Sequence, residues 1–302
     1  MQQKQQIIGL IIAAVCVGFL LIHPKSTAKQ SVDKARANLG RHLFYDTQLS
    51  YNLTKSCVSC HDPKMAFTDG YRTSSGADGF NVKHNAISLL NVKYRTQYTW
   101  ANTAINSLQK QIQFPFFNEH PKELGWKGQE QFILNRFAAN TNYQYLFRLA
   151  FPDQKMPFTI GNIQQAIIAF EEQLVSFNAP YDLYNKGNLK VLNEQAVAGM
   201  KLFNSNKLGC AKCHSWEQPF EKYESQFSAG IRIPSLRNVM LTAPYMHDGS
   251  LENIFDVLSY YDRKNSLNLS AKEQQSLIAF FTALTDTSYL SNKELLNPFQ
   301  YQ

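Results

Sequence analysis

Several things are scarce in this sequence, and each scarcity narrows what the chain can be. Its 302 residues contain no low-complexity tract, and with 44% hydrophobic and 18% charged residues the composition is that of a folded protein. No run of Lys and Arg with interleaved aromatics marks a nucleic-acid face; the formal charge of +7 is scattered, which suits solubility or an acidic partner. Strand signals are few, leaving a mainly α class with long loops. Cysteine is rare too. Of the five, one lies in an N-terminal apolar run and four fall in two copies of one short pattern, which scattered disulfide pairing would not produce.

What is present begins with that apolar run. Lys4 precedes about sixteen apolar residues, Ile7 to Ile22, followed by a polar stretch and the small residues Ser26-Thr27-Ala28. This is the pattern of a signal peptide or an uncleaved N-terminal membrane anchor over residues 1–28; either carries the rest of the chain across the membrane, into the periplasm. Cys16 within the run has no role.

The remainder reads as two copies of one unit. Ala37-x-x-Gly40-x-x-Leu43-Phe44 leads to Cys57-Val58-Ser59-Cys60-His61, and Ala196-x-x-Gly199-x-x-Leu202-Phe203 leads to Cys210-Ala211-Lys212-Cys213-His214. Each copy closes on a similar helix, Ile167–Leu174 in one and Leu277–Leu284 in the other. With a seam at Asn178-Ala179-Pro180, the domains are 29–178 and 179–302. The loops at about 62–128 and 215–250 are longer than connectors need to be, so function is expected there.

C-x-x-C-H is the pattern that attaches haem covalently. Two thiols at that spacing reach the two vinyl groups on one porphyrin edge, and the adjacent His lies under the iron. A zinc tetrathiolate built from two C-x-x-C pairs would not need a His after each pair, and here the pairs sit in separate repeats. The expectation is two haem c groups, one on Cys57, Cys60 and His61, the other on Cys210, Cys213 and His214. The 13% aromatic content suits such flat apolar cofactors.

The loops around these motifs resemble the bacterial diheme cytochrome c peroxidases and their relative MauG. The resemblance is carried by Gly40–Asp46, by Phe67-Thr68-Asp69-Gly70, and by Asn85–Asn91. It continues through Ser107-Leu108-x-x-Gln111, Pro121–Gly125, Ile233–Val239 and Leu241–Ser250. Thr99–Asn102 and Pro115–Gly125 look most like the MbnH-type branch, whose members are associated with partner proteins in copper-linked systems. The resemblance implies two cytochrome c-like helical haem domains and an enzyme that uses hydrogen peroxide.

It also implies roles. Trp100 matches the tryptophan between the haems, Asn85 with the carbonyls of Thr242 and Pro244 a calcium site, and Gln111 with Glu123 the open face of the first haem. Two extra residues separate Gln111 from Glu123, making Glu119 the alternative acid. Two departures matter. The peroxidases that turn over with small donors carry a His ligand sixteen residues after the first proximal His, where this chain has Ala77. Where they place a Met ligand for the second haem, this chain has Tyr261, as MauG does, with Met246 a weaker candidate. A hard phenolate favours oxidised iron and a neutral thioether favours ferrous iron. The expected function is therefore a peroxide-driven, high-valent two-haem state that oxidises an aromatic residue, Trp foremost, of a periplasmic partner protein. The alternatives are peroxide reduction with a cytochrome c or cupredoxin donor, or an electron carrier.

Overall fold

The structure, a computed structural model, describes residues 23–214 and 227–300. The expected signal or anchor at residues 7–22 and the stretch 215–226 of the second long loop lie outside them. The helices are α1 (His23–Tyr45), α2 (Leu108–Gln111), α3 (Gln113–Phe117), α4 (Glu130–Ala139), α5 (Thr141–Ala150) and α6 (Ile160–Glu171). They continue with α7 (Pro180–Asn185), α8 (Glu194–Phe203), α9 (Ile254–Asn265) and α10 (Ala271–Ala283). A two-residue hairpin, β1 (Phe227–Ser228) with β2 (Ile231–Arg232), is the sheet among the described residues. None of the described helices is long and apolar enough to cross a membrane.

The repeat has a steric basis. Helix α1 crosses α6 at Gly40, where a Cβ would overlap the Ala166 carbonyl; α8 crosses α10 at Gly199, where a Cβ would overlap the Ser276 carbonyl. Glycine lets the backbones touch, and the residues one turn on fill the core: Leu43 and Phe44 in the first copy, Phe203 in the second, all buried. Local signals start the closing helices. Thr159 caps α6, and Ser270 with Glu273 forms a capping box on α10. Helix α6 ends at Glu171, before the full span of its apolar pattern, because the chain then turns to meet the other repeat.

Two asparagines in the left-handed region make that turn symmetrical. Asn91 (φ 59°) donates its N–H to Leu174 O just beyond α6, and Asn238 (φ 60°) donates to Leu284 O just beyond α10. They meet at Ser176. Asn91 exchanges two hydrogen bonds with the Ser176 backbone, both 2.9 Å, and Asn238 Nδ2 donates to Ser176 Oγ at 2.9 Å. Ser176 Oγ in turn donates to buried Asp286, which also accepts from the backbone of Asn178 and Ser288. Nearby, Arg237 grips Asp182 bidentately at 2.7 and 2.8 Å in a pair almost closed to solvent.

Two main apolar cores result. The first is aromatic: Phe44, Phe67, Phe116, Trp126, Phe137, Phe147 and Phe170 are fully buried. The second is smaller, built on Phe203, Leu258, Leu277, Phe280 and Leu284. The final segment does not stay with the second repeat. Tyr289 and Leu295 join the first core, Tyr289 Oη donating to Pro63 O and Tyr45 Oη to Leu295 O. The C-terminal segment thus packs with the first repeat.

Candidate active site

Both C-x-x-C-H motifs sit on tight 3-10 turns, Cys57–Ser59 and Cys210–Lys212. All four cysteines are free thiols. Each following imidazole is held by its Nδ1, 2.9 Å from Phe67 O for His61 and 3.0 Å from Pro234 O for His214. A carbonyl can only accept, so Nδ1 carries the proton and Nε2 keeps its lone pair for a metal. Burial lowers the pKa of both imidazoles, which keeps them neutral. Unpaired thiols beside an imidazole with a free, oriented Nε2 fit a covalently held haem at each motif.

On the first side, Glu123 and Glu119 part company. Backbone bonds from Leu124 to Pro115 and from Trp126 to Phe116, both 2.9 Å, keep 124–126 paired with the middle and end of α3. The intervening residues 118–122 form the bend between the two segments. Glu123 is half-buried; burial pushes its carboxyl up to about 7, against a long 3.5 Å hydrogen bond from Asn118. Glu119 is instead at the surface, where the Lys127 ammonium at 2.5 Å holds its carboxyl below the usual range. Gln111 ends α2, half-buried, and no hydrogen bond joins it to Glu123 among the described residues. The loop carrying Ala77 is pinned alongside: Ala77 N donates to Lys122 O at 2.7 Å, and Asn52 Nδ2 to Ala77 O at 2.7 Å. A methyl group stands there, with no atom able to ligate iron.

Trp100 is buried where the two halves of the chain meet. Its Nε1 donates to Asn85 O at 2.8 Å, and its carbonyl accepts from Arg232 N in β2 at 2.7 Å. The Arg232 guanidinium lies over the indole, 5.5 Å from the ring centroid. Asn85 spends its amide nitrogen on Tyr71 O and Arg72 O, and its N–H on His247 O. That leaves Oδ1 as an acceptor. The carbonyls of Thr242 and Pro244 accept no hydrogen bond among the described residues, and neutral oxygens of this kind are the donors that a hard cation takes.

On the second side, Tyr261 lies half-buried on α9, within electrostatic reach of the second motif. Burial pushes its phenol up, Lys264 opposes this, and Tyr260, Cys213 and Cys210 lie near enough to add to the rise. Tyr260 packs edge-on against it at 5.2 Å.

Residues 34–190, more than half of the chain, match the family described as di-haem cytochrome c peroxidase. The chain belongs to that family. Among its relatives, methylamine utilization protein MauG of Methylorubrum extorquens is 28% identical over 294 residues, covering 87% of this chain and 80% of that one. Cytochrome c551 peroxidase of Nitrosomonas europaea is 29% identical, covering 86% and 82%. A solved MauG-like protein associated with microbial copper homeostasis is 31% identical, with a TM-score of 0.81 over 88% of this chain and 93% of that chain. The fold is therefore mainly α and cytochrome c-like, the chain is an oxidoreductase acting on peroxide, and the family implies two haem c groups.

Sequence reasoning missed Arg232 and Asn118, since a lone basic residue and a loop amide carry no pattern. It also missed the pairing of Asn91 with Asn238, although Leu-x-Asn-Val spells both, at 89–92 as Leu89-Leu90-Asn91-Val92 and at 236–239 as Leu236-Arg237-Asn238-Val239.

Proposed function

We propose that this di-haem peroxidase draws oxidising equivalents from hydrogen peroxide and spends them on an aromatic side chain, Trp foremost, of a periplasmic partner protein. The observation that carries it is Tyr261, half-buried on α9 within electrostatic reach of Cys213 and Cys210, at the position where small-donor peroxidases of the family place a methionine. Residues 29–178 form the peroxide-reacting unit on Cys57, Cys60 and His61; residues 179–302 form the second on Cys210, Cys213 and His214. Bound haem supplies the iron at which the peroxide O–O bond breaks. Glu123, raised to about 7, takes the proton from the near peroxide oxygen and returns it to the far one. Gln111 holds peroxide or water by its amide. Ala77 leaves the face open without a prior reduction step. Trp100 relays an electron between the two halves, and the Asn85, Thr242 and Pro244 oxygens hold one calcium ion that keeps the loops around it in place. As an anionic ligand Tyr261 would favour the higher oxidation states at the second site, so that site would give up one electron of its own and hold the oxidising equivalent rather than pass on electrons from a small donor. The MauG-like neighbour of 31% identity is associated with copper homeostasis, which favours a partner in a copper-linked system here as well.

The test compares wild type with Tyr261→Met. Wild type should turn over slowly with a reduced cytochrome and should oxidise tryptophan in a protein partner encoded beside it. The Met variant should lose the second activity and raise the potential of the second haem. Fast small-donor turnover by wild type, together with an unchanged Tyr261→Phe spectrum, would instead make the chain an ordinary cytochrome c peroxidase.

A further inference from the structure

We propose that Arg232 raises the oxidation potential of Trp100, so that the indole passes oxidising equivalents between the haems without holding them. The proposal rests on Trp100 being the relay. Arg232 is fixed on the ring by three features: its backbone N–H bonds Trp100 O at 2.7 Å, its Nε donates to Thr99 O at 3.2 Å, and its side chain is buried. The guanidinium stays over the indole at 5.5 Å and cannot swing to solvent.

Two effects then act in the same direction. A cation over a neutral indole face stabilises the reduced ring. A ring that has lost an electron is positive, and its repulsion from a buried guanidinium is weakly screened. Proton loss would remove that charge, but the indole N–H donates at 2.8 Å to Asn85 O, a backbone amide oxygen that is not a base. The ring therefore keeps its proton and its charge while oxidised, and is driven to refill quickly.

The electrons balance. Hydrogen peroxide takes up two electrons as its O–O bond breaks; both of its protons leave with the far oxygen as one water, and the near oxygen is left at the oxide level at the first site. One electron comes from each haem, the second crossing through Trp100, which gives one electron toward the first haem and takes one from the second. The indole ends unchanged, with no bond made or broken.

The two-haem protein is treated with one equivalent of hydrogen peroxide and freeze-quenched for electron paramagnetic resonance, with ring-deuterated tryptophan to assign any radical. Arg232→Gln should accumulate a Trp100 radical about tenfold or more above wild type, and Arg232→Lys should return it to the wild-type level. No added radical in Arg232→Gln, while Trp100→Phe still blocks sharing between the haems, overturns the proposal and leaves the relay standing. Unchanged sharing in Trp100→Phe sinks the relay itself, whatever Arg232→Gln shows. Wild-type protein grown on fluorotryptophan covers the case in which the Gln variant does not load haem. A harder-to-oxidise indole on an uphill hop should slow sharing about tenfold or more, and no slowing overturns the proposal.

Discussion

At the scale of single residues, the chemistry turns on which carboxylate is removed from water. Glu119 and Glu123 are four positions apart, yet one pairs with Lys127 at the surface and the other is raised to about 7 by burial. A base must be unprotonated to take the peroxide proton, so the rate with peroxide should climb as pH rises through about 7. Glu123→Gln should flatten that limb and lower the rate by about 10²–10⁴-fold, with both haems still bound. Glu119→Gln should keep the wild-type profile. Stopped-flow pH profiles check this, and matching curves for wild type and Glu123→Gln would take Glu123 out of the mechanism. The same shift has a stability sign. A carboxyl raised on folding costs nothing below its ordinary range and costs progressively more up to about 7, so the stability gained by Glu123→Gln over wild type should be absent in acid, grow as pH rises above about 4.5 and be complete above about 7.

At the scale of elements, both helix crossings were legible in the sequence, because A-x-x-G-x-x-L-F places a glycine and large apolar residues on one face, and the repeat shows it twice. The early end of α6 was not. Its apolar spacing runs to Phe177, whereas the helix ends at Glu171 and the chain beyond it is tied to distant Asn91 through Leu174 O and the Ser176 backbone. The same limit hid Arg232, whose meaning lies wholly in a ring 132 positions away. The crossings predict unequal tolerance of one methyl group. Gly40→Ala and Gly199→Ala each force a Cβ into a facing carbonyl and should cost about 1–3 kcal/mol or more. Gly161→Ala lies on α6, the helix that α1 crosses at Gly40, but in open space, and should be neutral or stabilising by up to about 1 kcal/mol. Denaturant melts of the haem-loaded variants decide it; equal losses at all three positions would mean the close approach is not what glycine serves.

At the scale of the whole molecule, the proposed relay between the two units needs a fixed distance between them, and the Ser176 joint ties the repeats together. Two equivalent asparagines, one from each repeat, converge on Ser176, and Asp286 anchors the cluster by accepting from Ser176 Oγ, Asn178 N and Ser288 N, each at 2.9 Å. Although burial opposes it, those donors hold the Asp286 carboxyl below its usual range. Asp286→Ala leaves the donors buried without their acceptor, at about 1–3 kcal/mol each. Because they tie the repeats together, the loss should appear as uncoupling. A single calorimetric transition should split into two, with both haem spectra intact at room temperature. Glu294→Ala removes an exposed ion pair with Lys34 and should leave the melt unchanged. The pH dependence has a definite sign. A carboxylate depressed on folding contributes fully above its unfolded pKa of about 3.9 and loses that contribution as pH falls through its folded value. The gap between wild type and Asp286→Ala should therefore be widest near neutrality and close in acid. A variant that melts in one unshifted transition at neutral pH would show that the repeats are held together by the returning C-terminal segment instead.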